Sequence, residues 1–448
     1  MPRLFGTDGV RGLANREVTA SLALSLGDAA ARVLTESTES GRRPRAVIAR
    51  DTRISGAMLA QAVAAGLASA GVDVEHVGVL PTPGLAYLTA SRDVDLGVVI
   101  SASHNPMPDN GIKFFARAGY KLEDALEDQI EAILGQDWEH PVGADVGRIS
   151  SAVEAADAAY VDHLAASIST PLNGLRIAVD CANGAASTVA PEALRKAGAE
   201  LVVINASPDG YNINVACGST HPEQLQRTVV ESGADFGVAF DGDADRCLAV
   251  DGNGKMVDGD QIMGMLALGL KEEGRLAHDT LVVTVMSNLG LILAMRDAGI
   301  ETVQTAVGDR YVLEAMRADG YVLGGEQSGH VINMEHATTG DGTLTALLVA
   351  ERVAATGKSL AELAGVVQRL PQTLVNVPNV DKTATSSNSA VMAAVAAAEE
   401  RLGETGRVVL RASGTEPLVR VMVEAATQAE ADSVAAELAE VVKKNLSL

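Results

Sequence analysis

Three short polar stretches of this 448-residue chain carry side chains that could do chemistry. Ser101-Ala102-Ser103-His104-Asn105-Pro106 offers a serine hydroxyl, Ser103, able to carry a transferred group, on a turn that Asn105-Pro106 keeps out of a helix. Asp241-Gly242-Asp243-Ala244-Asp245-Arg246 sets three carboxylates at alternate positions. They would repel one another strongly without a cation between them, and hard oxygen ligands favour Mg²⁺. Gly324-Gly325-Glu326-Gln327-Ser328-Gly329-His330 holds polar groups suited to a sugar, with His330 beside Glu326 and Ser328 for sugar contact or proton transfer. Together the three point to chemistry on a phosphorylated sugar.

Rival motifs fail on particular residues. A calcium-binding EF-hand needs Gly at its sixth loop position and Glu at its twelfth, where Arg246 and Gly252 stand. No Gly-x-Ser-x-Gly elbow marks a hydrolase. Gly357-Lys358-Ser359 ends like a P-loop, but Arg352 occupies the earlier glycine position. Lys113, within the apolar run Gly111-Ile112-Lys113-Phe114-Phe115, is either a desolvated proton donor or acceptor, or a lysine whose stem lies along apolar surface. Nearer the carboxyl end, Arg411-Ala412-Ser413-Gly414-Thr415-Glu416-Pro417 and Arg420 join two guanidinium groups to hydroxyls on a Gly-permitted turn, which suits a phosphate.

The elements that must position these loops repeat. Strand, helix, Ala-Gly break and second strand are expected at 46–49, 57–70 and 72–77, again at 177–179, 191–196 and 201–204, and again at 281–285, 289–297 and 302–306. A further strand follows each unit, at 96–100, 236–240 and 321–323, and the polar loops begin there. Ligands of open α/β sheets bind beyond the carboxyl ends of strands, so the loops are expected to face one cleft. The fold class is α/β: three similar α/β domains with mixed sheets over 1–152, 153–254 and 255–370, then a smaller α+β domain over 371–448. The second boundary falls at an expected hairpin over 247–257. The Ala-rich helices near 391–398 and 429–442 lack clustered basic residues and read as packing elements.

Composition narrows the setting. A formal charge of −23 argues against nucleic acid or an anionic membrane as partner, and an anionic substrate then needs local Arg and Lys. Cys181, Cys217 and Cys247 are odd in number and without paired spacing, which favours reduced thiols. The chain begins without an apolar leader, and no window reaches the roughly 18 apolar residues of a membrane-spanning helix. A cytoplasmic protein is expected.

In this order, and with Phe5-Gly6-Thr7-Asp8-Gly9-Val10-Arg11-Gly12, the motifs resemble the α-D-phosphohexomutase family from Phe5 to about Glu424. The resemblance implies four domains in a heart-shaped arrangement around a central cleft. It implies that Ser103 is a phosphoserine, that Asp241, Asp243 and Asp245 bind Mg²⁺ with the seryl phosphate, and that Glu326 and Ser328 hold sugar hydroxyls. It further implies that Arg411, Ser413, Gly414, Thr415 and Arg420 clamp the distal phosphate, and that Arg11, Lys113, Arg246 and His330 line the reacting centre. Lys113 is the expected general base, with His330 assisting. The expected reaction converts glucosamine 6-phosphate to glucosamine 1-phosphate through glucosamine 1,6-bisphosphate, on the route to UDP-N-acetylglucosamine. Partners are then small phosphosugars, and a homodimer is an open option. Activity on mannose or glucose phosphates is the alternative. A haloacid-dehalogenase-type phosphatase with Asp241 as nucleophile would have Thr or Val at Asp245, and a non-catalytic phosphosugar sensor would leave the serine and carboxylate loops without a purpose.

Overall fold

In the computed structural model, which describes residues 3–6, 8–35, 42–92, 94–412 and 418–448, the repeat becomes three sheets of one connectivity. Arg45–Arg50 pairs in parallel with Asp73–Val79 and Leu96–Ile100, and Asp109–Ala116 returns antiparallel to Leu96–Ile100. Arg176–Asp180 pairs in parallel with Glu200–Ile204 and Phe236–Phe240, and Cys247–Asp251 returns antiparallel to the latter. Thr280–Thr284 pairs in parallel with Glu301–Thr305 and Leu323–Gly325, and Val331–Asn333 returns. Each polar loop is therefore the link from the last parallel strand to its antiparallel neighbour. Every residue of Leu96–Ile100 and Phe236–Phe240 is buried, which is why these strands read as unbroken apolar runs.

The glycine after each repeat helix adopts a positive φ, as at Gly71 (+88°) and Gly299 (+68°), and so stops the helix where the Ala-Gly break predicts. One helix departs from expectation. It runs over Ala186–Lys196 and keeps Pro191 inside it. A proline there costs about 3 kcal/mol, but Ala186, Val189, Ala190, Ala193 and Leu194 are all buried along that helix, and tertiary packing outweighs the local penalty. The strand expected at 321–323 lies two residues later, and Val331–Asn333 is too short to leave a pattern in sequence.

The last segment is a three-stranded antiparallel sheet of Gln372–Pro378, Leu418–Glu424 and Arg407–Ala412, covered by Ser389–Leu402 and Gln428–Leu446. Val391, Val395, Ala398 and Leu402 from one helix and Val434, Leu438 and Val442 from the other join Val419, Val421 and Val423 in a core of their own. The Ala-rich helices are packing elements, as expected. By contrast, one apolar cluster runs through the first three sheets, from Val47 to Val367.

The junction with the C-terminal domain is polar. Glu424, fully buried, accepts from Asn288 Nδ2 at 2.9 Å, the Leu289 amide at 3.0 Å and Arg407 Nε at 2.6 Å. Removing one partner of a buried charge pair leaves the other uncompensated, so Glu424→Ala is expected to destabilise this junction by about 3 kcal/mol and Glu424→Gln by less. Calorimetry that found the same unfolding profile for Glu424→Ala and the parent would refute this.

Candidate active site

Ser103 sits where the first sheet hands the chain from Ile100 to Asp109, buried and with φ +51°. Its hydroxyl donates to Asp241 Oδ2 at 2.5 Å, across the boundary between the first two sheets. His104 Nδ1 lies 3.3 Å from the same hydroxyl. Burial, with Arg246 and Arg11 nearby, pushes His104 down to about 4, so its ring is neutral at pH 7.

Asp241, Asp243 and Asp245 follow Phe236–Phe240, whose burial fixes the base of their loop. One oxygen from each lies within 4.8 Å of the others, and Oδ1 of each is buried without a hydrogen-bond partner. An orphaned buried acceptor costs about 1–3 kcal/mol, more when charged, and a hard cation would satisfy all three at once. The donor set thus fits Mg²⁺. Without a cation, burial and the charges of Asp245 and Asp243 push Asp241 up to about 8, while burial and Asp243 raise Asp245. Asp243 goes the other way. Burial opposes its charge, but the Lys113 ammonium and the Thr82 hydroxyl hold it well below the usual carboxylate range.

Lys113 leaves the antiparallel strand Asp109–Ala116 and meets Asp243 Oδ2 at 2.8 Å and Asp8 Oδ2 at 2.9 Å. Burial alone would lower its pKa, but the two carboxylates overcome burial and raise it. This favours the ammonium form in the metal-free chain. Asp8 also pairs with Arg11 and with Lys121 Nζ at 2.7 Å, and Lys121 reaches Asp309 Oδ2 at 2.5 Å. His330 Nε2 is 3.5 Å from that same Asp309 oxygen. The chain of charges thereby ties the first sheet to the second and third.

His330 is buried, and neither ring nitrogen has a hydrogen-bond partner. The same holds for Ser328 Oγ, Arg11 Nε and Arg246 Nε. Buried donors and acceptors are ordinarily paired, and water, an ion or a ligand can supply a missing partner. Here the acceptors suit a cation, the guanidinium donors an anion, and Ser328 with His330 a polyol. Glu326 Oε1 accepts from the Gly308 amide at 3.1 Å, and the Gln327 side chain donates to buried Asp260 at 2.9 Å.

Arg411 and Arg420 face each other across the antiparallel pair Arg407–Ala412 and Leu418–Glu424. Like charges in direct cross-strand register repel, which an anion would relieve. Neither is joined to the Ser103 cluster by a hydrogen bond or ion pair of the described residues, and Ser413, Gly414 and Thr415 lie outside those residues.

Sequence reasoning passes over Asp51, Arg53, Thr82, Lys121, Asn214 and Asp309. A signal for two of them exists: Asp51 and Arg53 stand two apart just beyond the carboxyl end of Arg45–Arg50, the same kind of position as the flagged loops. Lys121 and Asp309 read locally as surface charges, and only the packing of sheet against sheet pairs them.

Family profiles described as phosphoglucomutase/phosphomannomutase match the chain as alpha/beta/alpha domain I over residues 2–140, domain II over 158–254, domain III over 258–370 and C-terminal domain over 374–441. The phosphoglucosamine mutase of Bifidobacterium animalis subsp. lactis is 64% identical over 456 residues, covering 100% of both chains. That of Streptomyces griseus is 62% identical over 452 residues, with the same coverage. A solved phosphoglucomutase/phosphomannomutase family protein from Burkholderia thailandensis superposes with TM-score 0.83 at 25% identity, covering 99% of this chain and 97% of its own. The N-acetylphosphoglucosamine mutase of Aspergillus fumigatus, solved with GlcNAc-6P and magnesium, shares the fold with TM-score 0.69 at 20% identity, covering 99% and 96%. With all four domains matched in order and such relatives aligned along its whole length, the chain belongs to the phosphoglucomutase/phosphomannomutase family.

Proposed function

We propose that this chain interconverts glucosamine 6-phosphate and glucosamine 1-phosphate, as a phosphoglucosamine mutase. The observation that carries the reading is the 2.5 Å contact between the Ser103 hydroxyl and the buried carboxylate trio, a nucleophile set against a cation site. The full-length relatives that bear this name supply the choice of sugar.

Ser103 carries a phosphoryl group in the resting enzyme. The anomeric O1 of glucosamine 6-phosphate attacks its phosphorus in line, the P–O bond to Ser103 breaks, the departing Ser103 Oγ takes a proton from the Lys113 ammonium, and the O1 proton passes to His330. Glucosamine 1,6-bisphosphate is left in the cleft and turns end for end. Ser103 Oγ then attacks the 6-phosphoryl group as its proton goes back to Lys113, the P–O6 bond breaks, and the proton held by His330 passes to O6. Lys113, kept charged by Asp243 and Asp8, is thus the acid of the first transfer and the base of the second. Arg11 and Arg246 offer the transferring group their unpaired Nε–H donors. Asp241, Asp243 and Asp245 would hold a divalent cation, Mg²⁺ in this reading, which would supply positive charge beside the phosphoryl oxygens. Glu326 and Ser328 hold sugar hydroxyls, and Arg411 and Arg420, with Ser413, Gly414 and Thr415, clamp the far phosphate. Added bisphosphate serves as activator by restoring phosphoserine. Three buried, unpaired cysteines support a reducing cytoplasm.

Ser103→Ala is expected to reduce turnover by about 10⁴-fold or more, and the wild-type phosphoenzyme to resist hydroxylamine. Phosphate released by hydroxylamine would instead identify an acyl phosphate on Asp241.

Protons compete with the cation for Asp241. Its carboxyl is raised to about 8, so the fraction ready to bind metal grows as pH rises towards that value and levels off above it. Mg²⁺ affinity measured by titration should therefore tighten by as much as about tenfold per pH unit between pH 6 and 8. A flat profile over that range would disprove the competition.

Among the 1-phosphates of glucosamine, glucose and mannose, each primed with its bisphosphate, kcat/KM is expected to be highest for glucosamine. A preference for mannose or glucose would reassign the substrate while leaving the mechanism in place.

A further inference from the structure

The backbone of Ser103 is pinned from two domains by residues that have no place in the chemistry above. Ser103 is not a glycine, yet its φ of +51° lies in the left-handed region, which a side chain adopts only when its surroundings over-determine it. Its amide donates to Ser101 Oγ at 2.9 Å, and Ser101 in turn donates to Asp51 at 2.6 Å. Its carbonyl accepts from Arg53 Nη2 and from Asn214 Nδ2, both at 2.9 Å.

Arg53 is almost wholly buried, and all five of its N–H donors are used. Nε meets Asp51 at 2.9 Å, and Nη2 reaches the Asn105 carbonyl at 2.8 Å as well as that of Ser103. Nη1 reaches the carbonyls of Pro106 at 2.5 Å and Asp109 at 3.1 Å. One cation thus gathers four carbonyl oxygens of the serine loop, whose negative ends would otherwise oppose a phosphoryl dianion at Ser103. Asn214 comes from the second domain. It repeats two of those contacts, with the Asn105 carbonyl at 3.2 Å, and it packs against Gly242 of the carboxylate loop, where an added Cβ would fall 2.9 Å from its Nδ2 and 2.5 Å from the Ser103 carbonyl.

We propose that Arg53 and Asn214 are positioning residues for phosphoryl transfer, a two-domain clamp that holds the Ser103 backbone in its left-handed conformation and sets the spacing of its hydroxyl from the carboxylate trio. The inference rests on the reading of Ser103 as the group carrier. Displacement of reacting atoms by about 1 Å can cost on the order of 100-fold in rate while leaving remote binding contacts intact. The expected signature is therefore a loss in kcat with little change in KM.

Asn214→Ala removes one half of the clamp and leaves the buried Asp51–Arg53 pair untouched. In bisphosphate-primed turnover of glucosamine 1-phosphate, it should lower kcat by about tenfold with KM within twofold. The ³¹P resonance of the phosphoserine should broaden or split as the loop samples other conformations. Arg53→Lys keeps a charge beside Asp51 but offers three donors where five were used, and should lower kcat by about 100-fold. Should that variant fail to fold, Asn214→Ala alone decides. Wild-type kcat and an unchanged ³¹P signal in Asn214→Ala, with Ser103 phosphorylated, would overturn the clamp and leave the reaction standing. Absence of phosphoserine from active wild-type protein would overturn the reaction reading and the clamp with it.

Discussion

Three carboxylates buried within 4.8 Å of one another form an arrangement that no sheet would tolerate alone, and the rest of the site is organised around it. Water is excluded there, so repulsion is felt at a low effective dielectric and cannot be screened away. The protein answers with charge from other parts of the chain. Lys113 comes from the first sheet, while Lys121 bridges Asp8 in the first domain to Asp309 in the third. Because these pairings cross between sheets, stabilising the carboxylate trio and docking the domains are one physical event. A continuous apolar cluster through the same three sheets makes the docking rigid.

The repeated connectivity places three polar loops at equivalent positions. Each unit ends a parallel strand and turns back into an antiparallel one, so the turning loop always emerges at the same end of its sheet. Side chains in such a loop need not preserve a helix or a strand and can be chosen for what they bind. The serine loop, the carboxylate trio and the 324–330 loop are then three sets of polar side chains at one structural position.

Much of this was legible in the chain itself. Residues 96–100 and 236–240 are apolar without interruption because they are buried on both faces, and the Ala-Gly breaks mark helix ends because only a residue tolerant of positive φ fits there. Ser103, the three aspartates and His330 stand out as polar side chains that follow apolar strands. The state of Lys113 was not legible. Its apolar neighbours suggest a desolvated amine, and only the folded chain reveals Asp243 and Asp8 beside it. Arg53 escaped although it stands just beyond a strand end, because nothing local says that four carbonyls fifty residues away will close around it. Pro191 misleads in the opposite direction, since a local rule yields there to burial.

The C-terminal domain stands apart because it has its own core and meets the others through polar contacts, among them those of Glu424, Arg407 and Asn288. Interfaces between domains of one chain are commonly more polar than cores, and this junction follows that pattern. The centre that transfers the phosphoryl group has to stay fixed to within fractions of an ångström, which the charge network and shared core of the first three domains provide. Arg411 and Arg420 face each other on the domain that has a core of its own. The two kinds of interface thus differ in chemistry, one apolar and cross-linked by buried ion pairs, the other joined by hydrogen bonds around Glu424.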